Sequence, residues 1–307
     1  MEGPEEHSAD GHTERPQFEA DGDSFGGLAD ATRLAILDVL ARTDGAVAYA
    51  DLFERTPVED KGRFNYHLRQ LRERYVRQDE GGYALTQSGV WASNLLAAGV
   101  LDDAVDRPFR EVDSVCGRCG TAAVEVGYRD GEGVVRCRDC GEGLTRFDFP
   151  PGAAQDLPLD AFVDAYDRRT RAYVGLADDG VCPFCGHETT TELRPAAARR
   201  PDGLPVVCEC SRCSAGLAAP LGLVLANRSR VAAALRNCGV DPDGGRFWER
   251  EWCTFSAPSV HGTDPLVVAL EVEEDGGTEG HDGTGDADGG TVRFLVDADV
   301  ELMEIER

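Results

Sequence analysis

The 307-residue chain carries 57 acidic residues against 31 lysines and arginines, a formal net charge of -26, and its 30 arginines to a single lysine suit a protein kept soluble in very high salt by hydrated carboxylates. A hydrophobic content of 41% argues against the disorder that such charge otherwise implies, and the length suits two or three domains. No apolar run is long enough to cross a membrane and no signal peptide opens the chain, so the expectation is a cytoplasmic protein with reduced thiols.

Residues 1–24 are acidic, Gly-rich and aperiodic, which predicts a disordered tail. LADATRLAILDVLARTD then places Leu34, Leu37 and Leu40 at helical spacing and stops near Gly45, and AYADLFERTP reads as a short helix ended by Pro57. The next stretch, DKGRFNYHLRQLRERYVR, is the chain's cationic segment. From Lys61 to Arg77 six basic residues face one acid, Glu73, and the only lysine lies here. Asp60 is a suitable N-cap for a helix at 60–75, and Phe64, Leu68, Leu71 and Tyr75 fall on one apolar stripe. Gly62, Asn65, Tyr66 and Arg69 lie opposite, with Arg63 and Gln70 at the edge. Asn and Arg can pair bidentately with adenine and guanine edges, and Arg, Lys and Tyr reach phosphates; a merely solvated face is the bland alternative. His67 lies beside the stripe and is expected to pack there. VRQDE and YALTQ flank Gly81-Gly82 as a hairpin, and Ser88–Leu101 reads as a further helix. Helix, helix, basic helix, hairpin, helix is the order of a winged helix-turn-helix, expected over 25–105, with Arg77 and Tyr83 of the wing near phosphate.

Eight of the eleven cysteines form four CxxC pairs: Cys116/Cys119, Cys137/Cys140, Cys182/Cys185 and Cys210/Cys213. Taken in order they give two sets spaced for tetrahedral four-thiolate sites, so two structural zinc ions are expected in ribbon-like units at 106–149 and 181–220. Gly117, Gly120, Gly141 and Gly186 suit the turns, and a VV pair before each second knuckle suggests an internal duplication. Disulfides or a redox switch are the competing readings; Cys208, Cys238 and Cys253 read as small buried residues, with a replacement ligand or a transient disulfide as the alternatives for Cys208, and His187 as a possible substitute ligand. Between the ribbons, 150–180 reads as a connecting helix with Leu159, Phe162, Val163, Tyr166 and Tyr173 apolar; its Arg168, Arg169 and Arg171 read as a solvated face balanced by nearby aspartates, with a DNA contact as the alternative. Beyond them come a helix at 221–237, an aromatic cluster of Phe247, Trp248, Trp252 and Phe255, and a β segment interrupted by an acidic loop at 273–290. That loop lacks the ordered spacing of an EF-hand and is expected to be disordered; His7, His12, His261 and His281 carry no signal. The whole reads as α+β: a winged helix-turn-helix, two zinc-ribbon-like units with helical connectors, and a C-terminal β segment. No nucleophile-base pair, phosphate loop or catalytic zinc motif is present, so no enzyme is expected.

ADATRLAIL, FNYHLRQL and YVRQDEGGYALTQSG together resemble the ArsR-like winged-helix regulators, and RCRDCGEG, PPGAAQDLPLDAFVDAYDRRTRAY, GVCPFCG and GVDPDGGRFWEREWC extend the resemblance to a haloarchaeal group carrying zinc-ribbon-like segments. The resemblance implies a homodimeric, sequence-specific regulator of transcription that contacts double-stranded DNA through Lys61, Arg63, Asn65, Tyr66 and Arg69. Metal-sensing members place cysteines near the recognition helix, whereas no cysteine here precedes Cys116, so metal sensing at that place is not implied. The alternative is a zinc-ribbon module that docks on proteins or RNA machinery without specific DNA binding.

Overall fold

The computed structural model describes residues 26–72, 74–102, 104–195, 203–273 and 290–307. The expected tail at 1–24 and nearly all of the acidic loop lie outside the described residues, as do His7, His12 and His281. The described residues divide into two units, one of residues 26–105 with Pro150–Asp156 and the other of Asp106–Phe149 and Leu157–Arg307.

The first of these contains α1 (Ala31–Ala41), α2 (Tyr49–Glu54), α3 (Lys61–Arg72), β1 (Val76–Asp79), β2 (Gly82–Leu85), α4 (Gln87–Ala97) and α5 (Pro151–Asp156). Side-chain oxygens start three of the helices. Asp30 accepts from the Thr32 N–H at 2.8 Å, Asp60 from Arg63 at 2.6 Å and Thr86 from Gly89 at 3.1 Å. Each such cap stabilises its helix by about 1 kcal/mol. The core joins Ile36, Leu37 and Leu40 of α1 to Leu52, Phe64, Leu68, Leu71, Tyr75 and Tyr83, while Leu34 is only half-buried. The hairpin turns at Glu80-Gly81, one residue earlier than the Gly-Gly pair suggested, because Asp79 pairs with Gly82. Val47 adds a further rung, exchanging backbone hydrogen bonds of 2.8 Å each way with Tyr83. This close approach requires the glycine beside it: at φ +126° a Cβ on Gly82 would stand 2.2 Å from the Val47 carbonyl oxygen. The predicted helix to Leu101 ends at Ala97, since Gly99 adopts φ +69° and stops the last turn. Residues 150–156, expected in the connecting helix, instead return to this unit, where the Gly152 N–H donates to the Ala98 carbonyl at 2.9 Å.

The second unit is built on three antiparallel sheets. β3 (Arg107–Glu111), β4 (Val124–Arg129), β5 (Glu132–Cys137) and β6 (Gly143–Asp148) form the first, in chain order. α6 (Leu159–Asp178) follows and buries Phe162, Val163, Tyr166 and Val174. β7 (Thr189–Leu193), β8 (Pro205–Cys210) and β9 (Gly216–Pro220) make the second sheet, and β10 (Ser259–Thr263), β11 (Leu266–Glu273), β12 (Thr291–Asp297) and β13 (Leu302–Glu306) the third. The helix expected over 221–237 is two helices, α7 (Leu221–Ala226) and α8 (Ser229–Asn237). The break has a cause: Arg228 leaves helical geometry to reach the buried Asp178 carboxylate with two nitrogens, at 2.7 and 2.8 Å. Arg171 likewise turns inward, donating to Asp167 and to the Pro242 and Gly245 carbonyls, and Arg169 stacks on Tyr173 while pairing with Asp148. Asp167 also accepts the Phe247 N–H at 3.0 Å, which anchors the aromatic segment to α6.

Candidate functional site

Amphipathic spacing turns α3 so that Phe64, His67, Leu68 and Leu71 are buried. Lys61, Gly62, Arg63, Asn65, Tyr66, Arg69 and Arg72 are left exposed. Gly62, Asn65, Tyr66, Arg69 and Arg72, together with Tyr83 of β2, line a shallow hollow. Among the described residues no carboxylate pairs with Arg63, Arg69 or Arg72, so the outer face keeps its positive charge. Lys61 lies over the Phe53 ring at 5.7 Å. Arg77, on the hairpin, is held by Asp79 at 2.5 Å; this pair is exposed and costs little to break. His67 is buried, its Nδ1 accepting from Arg33 Nε at 3.2 Å and standing 3.5 Å from Asp30. Burial depresses its pKa, Asp30 opposes this, and Arg33 and Arg63 reinforce it. It therefore packs and is not presented on the outer face.

The two cysteine sets each converge. The sulfurs of Cys116, Cys119, Cys137 and Cys140 all lie within 4.8 Å of one another, as do those of Cys182, Cys185, Cys210 and Cys213. Cys116–Cys140 and Cys119–Cys137 are 3.8 and 3.7 Å apart, and Cys182–Cys213 and Cys185–Cys210 are 3.7 and 3.5 Å apart. These separations are far beyond a disulfide bond of about 2.05 Å. A regular tetrahedron with such edges has its centre about 2.3 Å from each sulfur, a thiolate–metal distance. Either quartet could thus hold one metal ion.

The same local folding makes all four knuckles. In each, the N–H of the first cysteine donates to the carbonyl five residues on: Cys116 to Thr121, Cys137 to Glu142, Cys182 to His187 and Cys210 to Ala215. In three of them a glycine at φ near +70°, Gly120, Gly141 or Gly186, returns its N–H to that first cysteine's carbonyl. The fourth has Ser214 at that place, and there the Arg212 and Cys213 N–H groups point at Cys210 Sγ, at 3.3 and 3.4 Å. Burial raises the Cys210 thiol, but these two N–H groups together with the Cys185 and Cys213 thiols bring it down to about 6. In the first quartet the Thr121 hydroxyl and N–H bring Cys119 down to about 6, while burial pushes Cys116 up to about 12. Binding a metal as thiolates releases thiol protons, so uptake by either quartet is coupled to pH.

Register pairing confirms a common plan for the two quartets and corrects its sequence marker. Val124 pairs with Cys137 and Val126 with Val135; Thr189 pairs with Cys210 and Thr191 with Cys208. The buried Cys208 therefore occupies the place of the buried Val135, and the two VV pairs are offset by one residue. Cys208 sits outside its quartet, 3.4 Å from the Thr191 hydroxyl, and burial raises its pKa. Cys253 is fully buried and pushed up to about 12 by desolvation. His187 is not in the quartet; its Nδ1 lies 3.2 Å from the Cys185 carbonyl.

The role of the aromatic segment was not readable from spacing. Trp248 is buried with its Nε1–H on Ser114 Oγ at 3.0 Å, Ser114 donates to Glu249 at 2.6 Å, and the Trp248 carbonyl accepts the Gly117 N–H inside the first knuckle at 3.0 Å. A Cβ on Gly117 would meet the Arg250 carbonyl oxygen at 2.5 Å, so this knuckle needs its glycine for the contact.

A family model described as a domain of unknown function, DUF7351, matches residues 113–282, more than half of the chain and a span that contains both quartets and the aromatic segment. The chain belongs to the DUF7351 family. A second model, also a domain of unknown function (DUF7347), matches residues 21–95, which take in α1 to β2 and most of α4. No curated protein and no solved structure matches the chain. No helix among the described residues is long and apolar enough to cross a membrane.

Proposed function

We propose that this DUF7351 protein is a sequence-specific DNA-binding regulator of transcription, an ArsR-like winged helix whose α3 reads the major groove. The observation that carries the reading is the outer face of α3. Lys61, Arg63, Asn65, Tyr66 and Arg69 are exposed together on a chain of net charge -26, which has otherwise rid its surface of lysine. Retaining cationic groups there, without carboxylate partners on Arg63 and Arg69 among the described residues, is what a polyanionic partner requires. The element order supports it, with β1–β2 as the wing. Arg77 is then a secondary phosphate contact that must first leave Asp79. High salt weakens binding by counterion release, so base contacts and dimerisation carry more of the affinity.

The dimer is a second copy of this chain seated on α4. Val90, Trp91 and Leu95, with Val100 and Leu101 beyond, are exposed, and no residue from Gly81 to Leu101 is charged. Two copies of so acidic a protein meet at least electrostatic cost through such a surface. The quartets hold structural zinc, because closed four-thiolate sites leave no open coordination position for catalysis. A second reading, a docking module for proteins, is favoured by Val181 and Phe184, which stand exposed at the third knuckle. Occupancy mapping across the genome separates the two. The regulator predicts sharp promoter peaks sharing a two-fold motif with half-sites about one helical turn apart. Recruitment without a shared motif supports the docking module.

A further inference from the structure

We propose that Tyr49 is a positioning residue that makes Asn65 read guanine in preference to adenine; this rests on α3 being the DNA-reading element. An asparagine free to rotate pairs with adenine by donating to N7 and accepting from the N6 amino group, so it needs its carbonyl outward. Here the carbonyl is engaged. The Tyr49 hydroxyl donates to Asn65 Oδ1 at 2.8 Å. Tyr49 is itself fixed, its ring edge-on to the buried Phe64 at 5.5 Å and tilted against Tyr83 at 6.4 Å. Asn65 is exposed, so the bond serves no burial of its side chain. With Oδ1 drawn back toward α2, the amide presents its two N–H groups outward. Two donors match N7 and O6 of guanine, which are both acceptors, and oppose the amino group of adenine.

The test is selection of bound duplexes from a random pool, in high-salt buffer, by the full-length wild type, Tyr49→Phe and Asn65→Ala. Affinities are then measured for duplexes differing only at the position that Asn65→Ala randomises. Tyr49→Phe keeps the ring packing and removes only the donor, so unchanged melting and metal content would verify its fold. The wild type is expected to favour guanine there by roughly tenfold, the scale of one good base contact. Tyr49→Phe is expected to lose that preference or shift it to adenine, leaving the other positions unaltered. A wild-type preference for adenine at this position, or an unchanged preference in Tyr49→Phe, would overturn the inference while leaving DNA reading intact. If the wild type selects no sequence at all, the DNA-reading proposal falls and this one with it.

Discussion

Replacing Cys137 by serine tests what the metal sites contribute. Cys137 closes β5, is 1% exposed and stands 3.7 Å from Cys119 across the first quartet. A serine oxygen there stays protonated and binds a soft metal poorly, so the site drops to three thiolates. A four-thiolate zinc site contributes roughly 10–16 kcal/mol at neutral pH, against a net stability of about 5–15 kcal/mol for a whole domain. Without the metal the first sheet would rest on its buried apolar side chains alone, Val124, Val126, Tyr128, Val135, Leu144 and Phe147. Elemental analysis of the purified variant should find about one metal per chain where the wild type has two, a ratio set by the two separate four-thiolate quartets. Hydrogen exchange should show protection lost across β4, β5 and β6 and kept in β7 to β9. Two metals retained, or one lost with the first sheet still protected, would refute the view that thiolate-bound metal braces this ribbon.

Cys208→Val should keep full metal content and cost less than about 1.5 kcal/mol, because valine already fills the corresponding place at Val135; loss of one metal would make Cys208 a ligand. His67 binds protons more weakly folded than unfolded, so its contribution to stability is complete above its unfolded pKa of about 6.5 and is lost as pH falls through the depressed folded value. Urea unfolding between neutral and mildly acid pH should show that slope, and His67→Leu should flatten it; an unchanged slope would reject burial of the neutral imidazole. Trp91→Glu, placing charge in the uncharged α4 surface, should convert a dimer to a monomer in sedimentation without unfolding α1 to α4, and a dimer that persists would move the self-contact elsewhere.

What could be read from the sequence is what local rules determine. Asp60 with the stripe from Phe64 to Tyr75 specifies α3 because cap and period lie within a few turns. The CxxC pairs announce their quartets because thiolate chemistry needs both spacings. Small shifts came from glycines whose conformation spacing alone does not reveal: Gly82 moves the hairpin turn by one residue and Gly99 shortens α4. The rest depends on distant partners. Arg228 splits a continuous helical pattern to reach Asp178, fifty residues away. Trp248 seals a knuckle more than a hundred residues before it, and no periodicity marks that pairing. Nothing in the sequence marks Tyr49, whose hydroxyl reaches Asn65 on the outer face of α3.

The most direct measurement of the central claim is the affinity of wild type and the Arg63→Ala, Asn65→Ala double variant for one selected promoter duplex in high salt. Both residues are exposed on α3 and neither contributes to its apolar core, so folding and metal content should be unchanged. Two base contacts of about 1 kcal/mol or more each predict at least a roughly thirtyfold loss of specific binding. Affinity within twofold of the wild type would show that this face does not read DNA.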